Sequence, residues 1–168
     1  MLEDITLKDC IEFAVKTEEN GAKFYSKAAE KFSDDQEISE LFSQLAKDEG
    51  VHRKQFSDLL RRTPDEPQKS RTPERTDYLK AMSMSEFFSP RHGPLAHMDQ
   101  IKDRDDALKA AFELEKATLG FYKAVEDVIG PNPVLSEVVE AEKLHLSNVM
   151  KALLVEGSKF RSLQDTWS

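Results

Sequence analysis

The seven prolines of this 168-residue chain fall in two places: Pro64, Pro67, Pro73, Pro90 and Pro94 in one span, and Pro131 and Pro133 in the tetrapeptide GPNP. Proline lacks the helical N–H donor and its ring clashes with the preceding turn, so both places separate helices instead of lying inside them. With one further turn expected near residue 34, four long segments remain. In each, apolar residues recur at the helical period. The stripes are Ile11, Ala14, Val15, Ala22, Tyr25, Ala29 and Phe32; Ile38, Phe42, Leu45, Phe56 and Leu60; Leu108, Ala111, Phe112, Leu119, Tyr122 and Ile129; and Leu135, Val138, Val139, Leu146, Val149 and Leu153. No comparable stretch alternates with period two.

The expected fold is therefore all-α, a four-helix bundle with a long crossover between the second and third helices. Helices are expected at about 7–32, 36–62, 104–129 and 133–155, with a crossover over about 63–103 and a tail from about 156, all in a single domain over 1–168. Thr6 with Asp9 and Asp34 with Glu37 have the spacing of capping boxes, and Asn132 before Pro133 suits a cap followed by a first-turn proline.

Composition narrows the function. A net charge of −8 disfavours nucleic acid and anionic membrane surfaces as partners. No apolar run approaches the roughly 20 residues that span a bilayer, and the start MLEDITLKDC lacks the basic and apolar blocks of a signal peptide, so a cytoplasmic location is expected. The single Cys10 excludes an internal disulfide and any four-cysteine metal site supplied by this chain alone.

The chain also repeats itself. AVKTEENGAKFY (14–25) matches AFELEKATLGFY (111–122), aligning Glu18 with Glu115 and Tyr25 with Tyr122. DEGVH (48–52) answers AEKLH (141–145), aligning Glu49 with Glu142 and His52 with His145. The two halves read as copies of one helical hairpin.

Within that repeat, Glu49 and His52 lie on the apolar stripe of the second helix, Glu142 and His145 do the same on the fourth, and Glu18 and Glu115 sit at the centres of theirs. Glu19 lies 100° off the stripe, on the reckoning of about 100° per residue, so Glu18 is the inward-facing one. Each hairpin folds about a point midway between its glutamate and its Glu-x-x-His pair, near residue 34 in one and residue 129 in the other, which brings the polar groups level. Four carboxylates in a dry core repel one another and lose their hydration, so a cation must accompany them. Four glutamates and two histidines are the ligand set of a pair of divalent metal ions. A decayed site or a buried ion-pair network is the alternative. Tyr25 and Tyr122, two turns beyond their glutamates, could hydrogen-bond a ligand, take part in radical chemistry or simply fill the core. His92 and His97 have no glutamate three positions earlier and read as surface or loop-packing residues; Phe87 and Phe88 are expected to anchor the crossover, and Phe160 and Trp167 to pack the tail.

At EENGAKFYSKAAEKF, LAKDEGVHRKQF, ELEKATLGFY and VVEAEKLH the chain resembles the rubrerythrin branch of the ferritin-like superfamily, over about residues 7–155. The resemblance implies a ferritin-like bundle in which Glu18, Glu49, His52, Glu115, Glu142 and His145 bind two iron ions, Glu49 and Glu142 bridging them. It implies an oxidoreductase that reduces peroxide or dioxygen. Rubrerythrins of the well-known type append a four-cysteine rubredoxin domain, and with one cysteine here electrons are expected from a separate donor. They also carry a further glutamate one turn after the third-helix ligand, where this chain has Thr118, which bears on any iron movement that depends on that carboxylate. A homodimer is the assembly expected of the redox reading. Two alternatives stand beside it: an iron-handling protein that oxidises Fe(II) for storage or transfer, and a non-catalytic protein holding zinc, manganese or another metal.

Overall fold

The computed structural model describes residues 6–63 and 96–155, and everything below refers to them. Four helices make up the fold: α1 (Leu7–Lys31), α2 (Gln36–Arg62), α3 (Arg104–Ile129) and α4 (Pro133–Val155). The described residues contain no strand. Helix α1 packs along α2 and α3 along α4; these two hairpins then meet through α1 on α3 and α2 on α4. This is the all-α four-helix bundle expected from the proline placement and the four stripes.

Local signals set the ends. The Thr6 side chain accepts from the Asp9 N–H at 3.1 Å while the Thr6 N–H donates to Asp9 Oδ2 at 2.8 Å, a reciprocal cap that satisfies two otherwise orphaned donors of α1. Asn132 Oδ1 accepts from the N–H groups of Val134 and Leu135, opening α4 behind Pro133. The cap of α2 departs from expectation. Asp35, not Asp34, accepts from the Ile38 N–H, at 3.2 Å. With the helix starting at Gln36, Glu37 falls one position short of the capping-box site, and it instead pairs with Arg104 at 3.1 Å. Arg104 also meets Asp35 at 2.9 Å, fastening the start of α3 to the α1–α2 turn. Helix α3 ends at Gly130, whose φ of 82° is a backbone conformation that side-chain-bearing residues rarely adopt.

The buried arc of α1 is rotated from the expected stripe: Thr17, Gly21, Phe24 and Ala28 are buried, whereas Val15, Ala22 and Phe32 are partly exposed. Two packing partners, α2 and α3, cover α1 from different sides, and the arc turns toward both. Leu60, Phe112, Leu146 and Leu153 are likewise only partly buried. The side chain of Ile129 lies outside the description.

The core is divided. One apolar cluster gathers Cys10, Ile11, Ala14, Phe56, Leu119, Tyr122, Leu135 and Val138 toward one end of the bundle. The other gathers Phe24, Tyr25, Ala28, Ile38, Phe42, Leu45, Leu108, Ala111 and Val149 toward the opposite end. Between them lies a buried polar layer: Glu18, Glu49, His52, Glu115, Glu142 and His145, none more than 6% exposed. His92, Phe87, Phe88, Phe160 and Trp167, like most of the crossover and the tail, lie outside the described residues. His97 is exposed, with Nδ1 3.2 Å from Gln100 Nε2, as a surface histidine would be.

Candidate metal centre

Each hairpin supplies one inward glutamate from its first helix and a Glu-x-x-His pair from its second. Residues three apart on a helix stand on nearly the same face, so Glu49 and His52 enter the layer side by side on α2, as Glu142 and His145 do on α4. Their side chains form two overlapping groups, Glu18, Glu49, His52 and Glu142 in one and Glu49, Glu115, Glu142 and His145 in the other; within each group the ligand atoms lie within 4.8 Å of one another. All six residues expected from the sequence are brought together.

The arrangement has near two-fold symmetry. His52 Nδ1 lies 3.5 Å from Glu18 Oε2, 3.7 Å from Glu49 Oε2 and 3.2 Å from Glu142 Oε1. His145 Nδ1 lies 3.6 Å from Glu49 Oε1, 3.6 Å from Glu115 Oε2 and 3.8 Å from Glu142 Oε2. Glu49 and Glu142 thus each turn one oxygen to each histidine, whereas Glu18 and Glu115 serve one histidine apiece. The two imidazole rings lie stacked between them, with centroids 5.4 Å apart.

The outer oxygens of Glu18 and Glu115 are held from across the bundle. The Tyr122 hydroxyl of α3 donates to Glu18 Oε1 of α1, and the Tyr25 hydroxyl of α1 donates to Glu115 Oε1 of α3. Phe42 stacks on Tyr25 and Phe56 packs against Tyr122, closing the layer above and below with aromatic rings. Both tyrosines, left open between several roles by the sequence, therefore orient the glutamates. Burial, and then the charge of the carboxylate each one meets, holds both phenols well above their usual range.

The inner atoms are unsatisfied. Glu18 Oε2, Glu115 Oε2, both oxygens of Glu142, and Nδ1 of His52 and His145 are buried without a hydrogen-bond partner. Buried polar atoms are almost always paired, so several in one layer call for an unseen partner. A metal ion fits. Ligand atoms at about 2.1 Å from one ion stand about 3–4.2 Å apart, and the histidine–carboxylate separations fall in that interval. Hard carboxylate oxygens with imidazole nitrogens suit iron, manganese or zinc.

Without an ion, the histidines are left to balance the carboxylates. Burial opposes a charge on His52, but its contacts with Glu142, Glu18 and Glu49 outweigh burial and raise it to about 12. His145 is raised in the same way, its contacts with Glu115, Glu142 and Glu49 overcoming burial. Burial, reinforced by neighbouring carboxylates, lifts Glu18 and Glu115 well above the usual range. For Glu49 burial is outweighed by contacts with Glu18 and the two histidines, and its carboxyl is lowered to about 2.

Residues 9–87 match the rubrerythrin family. The match covers 79 of the 168 residues, and over that span the chain is similar to rubrerythrins. The matched span contains Glu18, Glu49 and His52 on α1 and α2, and the second half of the layer, Glu115, Glu142 and His145, rests on the internal repeat and on its own geometry. No curated protein and no solved structure matches the chain significantly.

Three features of this layer went unread in the sequence. Asp48 Oδ2 lies 3.4 Å from His145 Nε2, on the side away from the cluster. Gly21, one turn after Glu18, leaves room for Glu49: a Cβ there would stand 3.4 Å from Glu49 Cγ and Cδ. Thr17, beside Glu18, is buried and returns its hydroxyl to the Phe13 carbonyl at 3.0 Å. The repeat was the available signal for the first two, since it sets Asp48 opposite Ala141 and Gly21 opposite Thr118, and Thr118 is itself buried.

Proposed function

We propose that the polar layer binds two iron ions and that the protein is a non-haem di-iron oxidoreductase, reducing peroxide or dioxygen with electrons from a separate donor. The observation that carries this reading is the division of Glu49 and Glu142, each with one oxygen toward His52 and the other toward His145. A carboxylate placed in that way can bridge two cations. Glu18 with His52, and Glu115 with His145, then complete one side each.

Bound iron would supply the one-electron steps, cycling between ferrous and ferric states. The chain's own contribution is to hold anionic oxygens that tolerate both states, with Tyr25 and Tyr122 fixing the terminal glutamates so that their inner oxygens stay aimed inward. The apolar clusters on either side keep bulk water from the layer, which strengthens every charge interaction within it. Reduction of hydrogen peroxide to two waters consumes two electrons and two protons, and the electrons come from the separate donor.

Anaerobic loading of metal-free protein with Fe(II), followed by iron quantification and a peroxide challenge, tests the proposal. About two ions per chain are expected, with one peroxide consumed for each pair oxidised and further turnover once reductant is added. Iron retained without peroxide or dioxygen turnover would rule out the enzyme and leave a binding site. Oxidation followed by release or accumulation of iron would favour iron handling. Failure to retain iron, manganese or zinc would remove the metal reading altogether.

A further inference from the structure

The near two-fold symmetry of the layer is broken behind one histidine. His145 presents Nδ1 to Glu49, Glu115 and Glu142, and its opposite nitrogen, Nε2, faces Asp48 Oδ2 at 3.4 Å. Asp48 stands on α2, immediately before Glu49, so the helix that supplies one carboxylate to the His145 group also supplies the acid behind its imidazole. The repeat places Ala141 of α4 at the corresponding position, immediately before Glu142. A methyl group accepts no hydrogen bond. The carboxylates paired with His52 among the described residues all meet its Nδ1, on the cluster side.

A neutral imidazole carries one proton, and a metal needs the nitrogen without it. A carboxylate beside Nε2 keeps the proton on that atom, leaves the Nδ1 lone pair free, fixes the ring plane and makes the ligand nitrogen more basic. His145 has this support from Asp48, whereas the repeat-equivalent residue behind His52 cannot give it.

We propose that Asp48 is a positioning residue for His145 and makes the two halves of the layer inequivalent. A divalent cation is held first and more tightly by Glu49, Glu115, Glu142 and His145, and a second, more weakly, by Glu18, Glu49, His52 and Glu142. The inference rests on the reading of the layer as a two-metal centre, and adds to it an order of filling. Sequential loading would present a chain with one ion bound over a wider range of metal concentration than two equal and independent halves would give.

The test is a titration of metal-free protein with Co(II), followed by calorimetry and by the visible spectrum, which reports nitrogen and oxygen ligation without turnover. Wild-type protein is expected to fill in two resolved steps. Asp48→Ala is expected to weaken the first step about 10- to 100-fold, the range typical for loss of such a supporting contact, and to leave the second unchanged. Asp48 is about one-third exposed, with 36% of its side chain accessible, so the metal-free thermal midpoint should stay near that of wild type and separate positioning from folding. Adding Ala141→Asp to the Asp48→Ala variant should restore a tight step, now belonging to the His52 half. Two steps that Asp48→Ala leaves unchanged, or weakens equally, would overturn the inference while leaving the two-metal reading intact. No Co(II) uptake by wild-type protein would overturn that reading and the inference with it.

Discussion

Tyr25 on α1 donates its hydroxyl to Glu115 on α3, tying one hairpin to the terminal carboxylate of the other. Both residues are buried, and Tyr122 with Glu18 repeats the relationship in the opposite direction. Removing the hydroxyl leaves a buried carboxyl oxygen without its donor, a loss of about 1–3 kcal/mol. Tyr25→Phe should therefore lower the stability of the metal-free protein by that amount in denaturant unfolding, with no change in fold by circular dichroism. Combining it with Glu115→Ala, which removes the acceptor, in a double-mutant cycle should show coupling between the two sites. Additive effects would mean that the contact contributes nothing.

The metal-free protein should become less stable as pH rises above neutrality. The folded state holds His52 to about 12, far above the value of about 6.5 for an unperturbed imidazole, and His145 is raised as well. A raised pKa contributes stability that is complete below the unfolded value and is lost as pH climbs toward the folded one. Glu18 and Glu115, raised by burial, act with the same sign. Glu49, lowered to about 2, contributes above the unfolded value of about 4.5 and loses its contribution only as the solution is acidified toward 2. Thermal midpoints of chelator-treated protein should accordingly fall between about pH 6.5 and 9. In metal-loaded protein the imidazoles must give up those protons, so metal affinity should rise over the same interval, with proton release detectable in buffers of different ionisation enthalpy. A flat apo profile would contradict the charge arrangement described here.

Terminal and shared carboxylates should respond differently to neutralisation. Glu18→Gln removes charge from one group and leaves an amide oxygen to accept from Tyr122, so metal-free stability should hold or increase as repulsion in the layer is relieved. Its metal loss should be confined to the His52 half. Glu142→Gln touches both groups, and both ions should be weakened. Metal content after dialysis is the measurement; equal losses in the two variants would argue against a bridging Glu142.

Much of this was legible in the chain because two independent patterns agreed. Proline placement and the stripes gave the four helices, and the repeat paired Glu18 with Glu115 and Glu49 with Glu142, so the convergence of six residues followed from the hairpin geometry. Details that depend on how helices lean together were not legible. The rotation of α1 toward Thr17, Gly21 and Phe24 comes from its contact with two neighbours, which a single-helix period cannot express. Asp48 drew no reading from the helical period because its partner, His145, is brought to it by tertiary packing of α4 on α2. The one-residue error at the α2 cap has a similar cause: Asp34 and Asp35 have the same local chemistry, and the chain's path out of α1 selects between them.

Gly21 offers the sharpest steric test of the layer. Its missing side chain lets Glu49 lie against α1, where a Cβ would stand 3.4 Å from Glu49 Cγ and Cδ. That is ordinary contact, so Gly21→Ala should fold, retain metal and gain about 0.5–1 kcal/mol from the better helix former. A further branch has no such room. Gly21→Val should keep the bundle helical but displace the Glu49 carboxylate, and since Glu49 belongs to both ligand groups, both metal affinities should drop together. Metal titration of the two variants beside wild type, with circular dichroism as the fold control, separates these outcomes. Full metal occupancy in the valine variant would show that Glu49 does not need the space left by Gly21, and that its position is set by α2 and the histidines alone.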